Sequence, residues 1–406
     1  MGHITLFEDA GYANLLPLTY WRCVAELFCG RKSLMDNAAS WLGSSISGLW
    51  TRPEMAAVAA MRLQTPVNRE VGAGDVLVNA RWLLNDTVTF NEAPFVATRN
   101  GTIVYVSCDA ALAKRVAPEL LRNERETSRL IEAFPSGEVD AVMLDYPWDL
   151  VAHNADALRS HWSGDDRGID GDVSSAAYLV NHDRIHVSER TVVKPTAVIN
   201  AENGPVYISN DVLVDAHTYI EGPAYIGPGS VVKPHTSIRA GTTLCSLCKV
   251  AGEISGSILA GYTNKQHEGF LGDAYVGSWV NLGAGTTNSN LKNTYGEISV
   301  QLGKRTIKTG RQFFGCVIGD FCRLGIGQLL PTGAIVGFGA MCATGGFAPK
   351  FVPSFGWITT DRQDVTDASR LLETARTMLA RRKCELSAEE VALFRQLPEL
   401  CQRYGV

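Results

Sequence analysis

An aliphatic residue recurs at every sixth position through the middle of this 406-residue chain. A six-residue period with glycines and small residues between the aliphatics predicts a left-handed parallel β-helix, in which each hexapeptide forms a short strand and a turn. Three hexapeptides close one triangular coil, and the aliphatic side chains stack inside it at the strand spacing of about 4.8 Å. The repeating positions are Ile208, Val214, Ile220, Ile226, Val232, Ile238, Leu244 and Val250, then Phe270, Val276 and Leu282, then Ile318, Leu324, Leu330, Val336 and Cys342.

The sequence before the repeat does not follow the six-residue period. Short apolar runs such as Ile4 to Phe7 alternate with helical stretches such as Ala110 to Phe134, a mixture typical of an α/β domain. A helix opened by Tyr146-Pro147 is followed by the glycine- and aspartate-rich stretch 163–172, which is predicted to be a connecting loop. We therefore predict an α/β domain over residues 1–184, the β-helix over 185–358 and a helical segment over 359–406.

Two helices are predicted beyond the β-helix. Apolar residues between Val365 and Leu379 follow helical spacing, and basic residues follow at 381–383, where cations suit the end of a helix dipole. Ser387 and Glu390 form the capping box of a second helix. We expect these helices to cap the last coil or to contact a neighbouring subunit.

Composition narrows the classes of partner. The net charge of −5 gives no basic excess for a nucleic-acid backbone, and no apolar run reaches the roughly 18 residues of a membrane span. The N-terminal stretch carries acidic residues where a signal peptide would carry basic ones, and the ten cysteines are scattered, so we expect a cytoplasmic protein with reduced thiols. Cys245 and Cys248 form a C-x-x-C pair inside the repeat, where apolar filling is the favoured interpretation.

The repeat is interrupted near 252–268 and near 287–312. Insertions in a solenoid must leave its wall as loops, and loops on a rigid scaffold often carry function. His267 ends the first interruption, directly before the predicted strand at Phe270. An imidazole there can accept a proton near neutral pH, although a solvated loop histidine is the alternative.

The stretch from Lys265 to Asn290 reads K-x-x-x-x-x-L-G-D-A-x-V-G-x-x-V-N-L-G-A-G-T-x-x-x-N. It resembles the acetyltransferase domain of the bacterial bifunctional enzyme that makes UDP-N-acetylglucosamine, which joins an acetyltransferase β-helix to an N-terminal uridyltransferase. The resemblance implies acetyl-CoA as the acyl donor, an amino-sugar phosphate as the acceptor, and a homotrimer with active sites between adjacent β-helices.

The same resemblance implies roles for individual residues. His267 matches the general base that takes a proton from the sugar amine, and Lys265 and Asn281 match substrate-binding positions. Arg239 resembles an arginine that binds the sugar phosphate, for which a guanidinium is well suited.

On the acetyl-CoA side, Asn290 matches an asparagine near that substrate. The backbone N–H groups of Ala284 and Gly285 would stabilise the oxyanion of the thioester.

Two features depart from the family pattern. Phe270 stands where the family has a tyrosine. The second interruption carries basic residues that either meet the phosphates of coenzyme A or form a solvated loop. They are Lys304, Arg305, Lys308 and Arg311.

The N-terminal domain resembles the uridyltransferase less closely. Nucleotidyltransferases of this class have a G-x-G-T-R loop whose backbone amides cradle the triphosphate. Here Gly11 is followed by Tyr-Ala-Asn-Leu, so the second glycine and the arginine are missing, and the stretch from Leu15 to Gly30 resembles a divergent bacterial subfamily of sugar nucleotidyltransferases. Arg22 and Lys32 are candidates to replace the lost cation. An active domain would take a nucleoside triphosphate with Mg²⁺.

Two other functions stay open at this point. His217 and His235 lie one coil apart, with Glu253 next, as in carbonic anhydrases built on the same scaffold. A third histidine ligand is not evident, and we predict no metal in the β-helix. A noncatalytic trimeric scaffold that binds a sugar nucleotide is the other alternative.

Overall fold

A computed structural model describes residues 2–406. The N-terminal part is an α/β domain built on one six-stranded sheet, as predicted. The first three strands in spatial order run parallel, and the strand at 102–107 is antiparallel to both of its neighbours. The spatial order is Gly48–Trp50, Ile4–Phe7, Val76–Asn79, Thr102–Ser107, Phe95–Arg99 and Ser136–Glu138.

Eight α-helices accompany the strands in residues 2–406. They are α1 (Leu34–Leu42), α2 (Pro53–Leu63), α3 (Ala110–Ala113), α4 (Pro118–Leu121), α5 (Glu124–Ala133), α6 (Pro147–Ser160), α7 (Ala368–Ala380) and α8 (Ala388–Tyr404). Short 3₁₀ helices lie at Ala10–Leu15, Val24–Glu26, Gly164–Asp166 and His182–Arg184. Pro118 starts α4 and the Asn123 side chain caps α5, so the predicted helical stretch 110–134 is divided in three. The capping box of Ser387 and Glu390 starts α8 as predicted.

The β-helix has three parallel faces. Face one contains Asp172–Val173, Val192–Val193, Leu213–Val214, Val231–Val232, Lys249–Val250, Asn264–Lys265, Asn281–Leu282, Arg323–Leu324, Met341–Ala343 and Gly356–Thr359, with Gln363–Val365 added antiparallel. Face two contains Tyr178–Val180, Val198–Asn200, Tyr219–Glu221, Ser237–Ile238, Glu253–Ser255 and Phe270–Gly272, and the pair Thr287–Asn288 and Leu329–Leu330 continues it. Face three contains Gly168–Ile169, Ile185–Val187, Val206–Ile208, Ala224–Ile226, Thr242–Leu244, Ile258–Leu259, Tyr275–Val276, Cys316–Ile318, Ala334–Val336 and Phe351–Val352.

The repeating aliphatic side chains fill the interior of the coils, which confirms the prediction at all positions but one. Phe270 is only half-buried, and its neighbour Leu271 is the inward residue, because Leu271 pairs with the inward Ile254 of the coil before. The β-helix also begins earlier than residue 185, since the strand Gly168–Ile169 already belongs to face three.

The first predicted interruption is not a loop. The wall continues through strands at 253–255, 258–259 and 264–265, each paired with the coil before it. The pattern is lost in the sequence because the step from Val250 to Ile254 is two residues shorter than the repeat and the step from Ile254 to Leu259 is one residue shorter. In addition, Lys265 takes the inward position stacked on Val250. The second interruption is a true insertion, which holds an antiparallel hairpin of Ser299–Leu302 with Arg305–Lys308.

The C-terminal helices do not cap the last coil. They pack along the side of the β-helix and against the N-terminal domain, because one hydrophobic core joins all three parts. Helix α8 packs on α2, and the Phe394 ring lies 5.7 Å from the rings of Trp21 and Phe321. Helix α6 covers part of face three. A second small hairpin, Phe28–Cys29 with Lys32–Ser33, packs beside α6.

Candidate functional site

His267 lies at the corner between face one and face two. The strand Asn264–Lys265 ends face one just before it, and Phe270–Gly272 begins face two just after it. The imidazole is exposed and makes no hydrogen bond to any of residues 2–406. It is therefore free to meet a ligand at this corner.

Lys265 holds this corner from inside the coil. Its side chain points into the β-helix and is 2% exposed, and Nζ donates hydrogen bonds to the carbonyl oxygens of Ala251 at 3.1 Å, His267 at 2.8 Å and Glu268 at 3.3 Å. Burial lowers the pKa of Lys265 to about 8. All three donor positions of the ammonium are occupied, so this lysine fixes the backbone beside His267 and has no donor left for a substrate.

The corner of the next coil stacks directly on the His267 corner. Gly269 has a φ of +116°, and a Cβ there would lie 2.2 Å from the carbonyl oxygen of Thr286, so only glycine allows the two backbones to approach so closely. The main-chain N–H groups of Ala284 and Gly285 have no acceptor among residues 2–406. Two free donors thus lie in the coil beneath the histidine.

A cavity of about 260 Å³ opens on face one beside this corner, between the strands and the C-terminal end of α7. We call it the face-one cavity. Its floor is a column of side chains at matching positions on successive coils, since Lys249, Asn264, Asn281 and Arg323 pair in that order. The full lining is Lys249, Tyr262, Asn264, Gln266, Trp279, Asn281, Arg323, Met378, Arg381 and Arg382.

The face-one cavity is strongly basic. Four of its lining residues are cationic and none is acidic, and within residues 2–406 none of the four forms an ion pair: Lys249, Arg323, Arg381 and Arg382. Burial and the neighbouring arginines lower the pKa of Lys249, and burial and Arg381 lower that of Arg323. The cavity therefore holds uncompensated positive charge, which favours an anion.

The other two β-helix residues predicted to contact ligands lie at the far edge of face two, and not with His267. The Arg239 guanidinium is exposed and pairs with Glu221, with Nε 3.1 Å from Oε2. The Asn290 amide donates to Oδ2 of Asp273 at 2.7 Å. Of the predicted residues, four are thus grouped around one corner: His267, Asn281, Ala284 and Gly285. Arg239 and Asn290 lie at the other end of the face-two strands.

A second cavity, of about 350 Å³, lies at the ends of the N-terminal strands around Gly11. The Arg81 guanidinium forms the floor of this cavity. It packs so closely on Gly11 that a Cβ on that glycine would lie 2.3 Å from Cζ of Arg81. Arg81 bridges two carboxylates: it binds Asp9 through Nε at 2.7 Å and Nη2 at 2.6 Å, and it also binds Asp145.

The geometry of this second cavity does not fit the Mg²⁺ ion that the sequence resemblance implies. A divalent cation needs several free carboxylate oxygens close together, whereas the guanidinium engages both oxygens of Asp9 and one of Asp145. Glu124, the third acidic residue of the lining, is not grouped with these two as a set of possible metal ligands. No reaction step is assigned to a metal here.

The two cations proposed to replace the lost arginine lie elsewhere. Arg22 is buried between the domains and pairs with Asp320 of the β-helix, and its Nη2 also donates to Ser278 at 3.0 Å. Lys32 sits in the small hairpin, where its ammonium bonds to Ser40 at 2.7 Å. Neither lines the cavity around Gly11.

The basic hairpin points toward the N-terminal domain. Arg305 donates to Oδ1 of Asn14 at 3.1 Å, and Arg311 pairs with Asp149 at the same distance. Asn14 lines the N-terminal cavity, so these charges lie near that cavity and not beside His267.

The histidine pair considered as a metal site is a stacked surface pair. The rings of His217 and His235 lie 4.8 Å apart and nearly parallel. Within residues 2–406 no three histidine, cysteine, aspartate or glutamate side chains are grouped so that they could hold a metal ion. None of the described helices is both long enough and apolar enough to span a bilayer.

Replacing Lys265 by methionine tests its role in holding the corner. Methionine keeps an apolar chain inside the coil but removes the three bonds to carbonyl groups, so the His267 backbone would shift. We expect kcat/KM for the acetyl transfer that the sequence resemblance implies to fall by about tenfold to a hundredfold, because small displacements of catalytic groups cost this much. Three carbonyl oxygens lose their donor, so the melting temperature should fall by a few degrees while the protein stays folded at the assay temperature. An unchanged kcat/KM in the folded variant would contradict the positioning role.

The same variant tests the lowered pKa of Lys265. Its pKa in the folded protein is about 8, below the ordinary lysine value of about 10.4, so between these values the unfolded chain holds a proton that the folded chain has lost. The free energy of unfolding of the native protein should therefore rise with pH across this window relative to Lys265→Met, by on the order of 1–2 kcal/mol. Urea titrations of both proteins at pH 7.5 and pH 10 measure the difference, and equal shifts would refute it.

Sequence reasoning missed most of the face-one cavity. Lys249, Asn264 and Arg323 each directly precede an inward residue, as Asn281 does, so aligning the coils one above another would have shown the column. Arg381 and Arg382 were noted only for the helix dipole, since nothing in the sequence tells which face α7 covers.

Comparison with known proteins gives matches to parts of the chain. A family model described as sugar nucleotidyl transferase matches residues 4–163. The bifunctional protein GlmU of Paraburkholderia xenovorans is 33% identical over 121 residues, which cover 29% of this chain and 26% of that protein. A bifunctional sugar-1-phosphate nucleotidylyltransferase/acetyltransferase of Sulfurisphaera tokodaii is 34% identical over 136 residues, 33% of this chain and 34% of that one. The matches thus span about a quarter to a third of these relatives.

Among solved structures, the UDP-N-acetylglucosamine acyltransferase of Francisella novicida aligns with 57% of this chain and 78% of its own. The identity is 16% and the TM-score is 0.32.

Proposed function

We propose that the β-helix transfers an acetyl group from acetyl-CoA to the amine of an amino-sugar phosphate, a proposal supported by the similarity of part of the chain to bifunctional GlmU proteins. The observation that carries the proposal is the His267 corner. It places an exposed imidazole above two free backbone N–H groups, beside a cavity whose lining includes Asn281 and four unpaired cations.

Each residue of the corner has a part in the reaction. Acetyl-CoA, as the second substrate, supplies the acetyl group as a thioester. His267 accepts the proton that the amine loses as its nitrogen attacks the thioester carbon, and the imidazolium then returns a proton to the departing thiolate. The new bond is C–N, the broken bond is C–S, and the products are the amide and free coenzyme A.

The negative charge that develops on the thioester oxygen needs donors placed in advance. The N–H groups of Ala284 and Gly285 are two such donors, and they point from a rigid coil and not from a mobile loop. Donors of this kind contribute about 3–4 kcal/mol each to transition-state stabilisation. Lys265 holds the histidine side of the same corner, so we class it as a positioning residue.

The remaining parts of the proposal concern the whole chain. The N-terminal domain has a sugar-nucleotidyltransferase-like fold, and we assign no nucleotidyl transfer step to it while Arg81 bridges its carboxylates. We propose a homotrimer, in which neighbouring β-helices complete each site. We also propose a cytoplasmic location, because all ten cysteines are free thiols, as suits a reducing compartment.

The test is release of free thiol from acetyl-CoA with glucosamine-1-phosphate as the acceptor. Turnover that depends on the acceptor supports the proposal. Tight acetyl-CoA binding without turnover would leave acyl transfer as the proposed reaction, and other amines would then be tested as acceptors. If acetyl-CoA does not bind at all, the protein is a noncatalytic scaffold.

A further inference from the structure

We propose that the face-one cavity binds the phosphate group of a phosphorylated substrate, with the end of α7 closing over it. The inference deepens the proposed acyl transfer and rests on it for the identity of the ligand. It places the phosphate on Lys249, Arg323, Arg381 and Arg382, and not on Arg239 or the basic hairpin.

Charge is the first support. Arg239 is already paired with Glu221, and the hairpin arginines 305 and 311 are bonded to the N-terminal domain. The four cations of the face-one cavity have no carboxylate partner in residues 2–406. Four positive charges held close together repel one another, and a phosphate dianion would relieve that repulsion through charge-assisted hydrogen bonds.

The helix dipole does not explain this cluster by itself. Arg381 and Arg382 follow the last turn of α7, where cations are favoured by the partial negative charge of the helix end. Lys249 and Arg323 are on the β-helix and gain nothing from being close to two more cations. In addition, the Nε–H of Arg323 is buried without an acceptor in the described residues, a cost that a bound anion would remove.

The rest of the lining fits a sugar or nucleotide attached to the phosphate. The amides of Asn264, Gln266 and Asn281 are donors and acceptors for hydroxyl groups. The rings of Tyr262 and Trp279 stack at 4.0 Å and 9°, which provides a flat apolar surface for a ring. A volume of about 260 Å³ is below that of a pocket for a drug-sized ligand, as suits one monosaccharide phosphate or one end of coenzyme A.

Helix α7 is fixed over the cavity by specific contacts. Arg382 donates to Oδ1 of Asn264 at 2.9 Å, and the Tyr262 hydroxyl lies 3.4 Å from Sγ of Cys384. Two cations from a helix far along the chain are thus brought to two cations on the coils, so the anion site exists only when the C-terminal segment is docked.

Calorimetric titration of the full chain tests the proposal without any need for turnover. The probes are glucosamine-1-phosphate, coenzyme A and inorganic phosphate, and the comparison ligands are glucosamine, which lacks the 1-phosphate, and 3′-dephospho-coenzyme A, which lacks only the 3′-phosphate. We expect the double variant Arg381→Gln/Arg382→Gln to weaken binding of glucosamine-1-phosphate or coenzyme A by tenfold or more, and to leave binding of the comparison ligand that lacks the phosphate concerned unchanged. The probe that is affected identifies which substrate carries the phosphate.

Two further variants serve as controls for the double variant. Arg376→Gln, on the exposed side of the same helix and paired only with Glu373, is the matched control and should bind as the native chain does. Arg323→Gln changes the β-helix floor and leaves the α7 contacts intact, so it should weaken the same probe even if the double variant loosens α7.

Three results would overturn the proposal: unchanged affinity in both test variants, an equal loss in Arg376→Gln, or failure of the native chain to bind any phosphorylated probe. Loss of phosphate binding in the variants, together with no thiol release by the native chain, would leave the anion site in place and defeat the acyl transfer. Thiol release by the native chain, together with unaltered phosphate binding in the variants, would support the acyl transfer and defeat the anion site.

Discussion

His267→Ala should lower kcat for acetyl transfer by on the order of a hundredfold or more, because a positioned general base contributes about 10²- to 10⁴-fold. The imidazole is exposed and bonds to nothing in residues 2–406, so its removal leaves no buried group unpaired and the fold should be unaffected. Binding of acetyl-CoA should also persist, since the oxyanion donors are backbone groups. The measurement is thiol release under saturating acetyl-CoA, with the melting temperature recorded for each protein.

The chain supplies its own control for this variant. His235 is another exposed histidine at a β-helix turn, about two coils earlier on the same scaffold, and its ring stacks only on His217. His235→Ala should turn over at the native rate. If His267→Ala keeps more than about a tenth of the native kcat, the base is another group or the amine loses its proton to water.

Asp320→Ala should be the most destabilising single change among those considered, lowering the free energy of unfolding by about 3–5 kcal/mol. Asp320 is fully buried in the β-helix and pairs with Arg22 of the N-terminal domain, and its Oδ1 also accepts from the backbone N–H of Ser278 at 2.6 Å. Without the carboxylate, the guanidinium of Arg22 is left charged and buried at the domain boundary. Thermal or urea unfolding of the full chain measures the loss.

The double variant Arg22→Met/Asp320→Leu separates the cost of an unpaired charge from the value of the pair. Replacing both members of a buried ion pair by apolar residues is often close to neutral, so much of the lost stability should return. The surface pair of Arg190 and Asp211 is the contrast, and Asp211→Ala should change stability by less than about 1 kcal/mol. If Asp320→Ala were equally mild, the pair would not join the domains.

Much of the candidate site could be predicted from the sequence because its chemistry lies within one continuous stretch. His267, Asn281, Ala284 and Gly285 all lie between residues 267 and 285, which is about one coil of the β-helix, and the structure groups them around one corner. Asn290 follows Gly285 closely in the sequence, yet it lies at the opposite edge of face two, as does the more distant Arg239. Residues that are close in the sequence lie at a similar level along the axis of the β-helix. The face that each residue occupies depends on where the turns between them fall.

Lys265 shows why the first interruption was predicted wrongly. The hexapeptide pattern requires an aliphatic residue inside, so a coil with a lysine at the inward position falls outside that pattern. The structure keeps it inside because three backbone carbonyls satisfy its ammonium, a solution that depends on the turn geometry of residues 266–268. An apolar pattern cannot reveal such a polar replacement.

The sequence by itself determined the β-helix, the α/β character of the N-terminal domain and the start of the last helix, because each follows from a local period or a local cap. Only the tertiary structure decided where the separate parts meet. Packing of the C-terminal helices along the β-helix brings Arg381 and Arg382 to face one, and burial between the domains removes Arg22 from any ligand. These outcomes depend on contacts between residues more than a hundred positions apart, and the free energy of such contacts comes from surfaces that exist only after each part has folded.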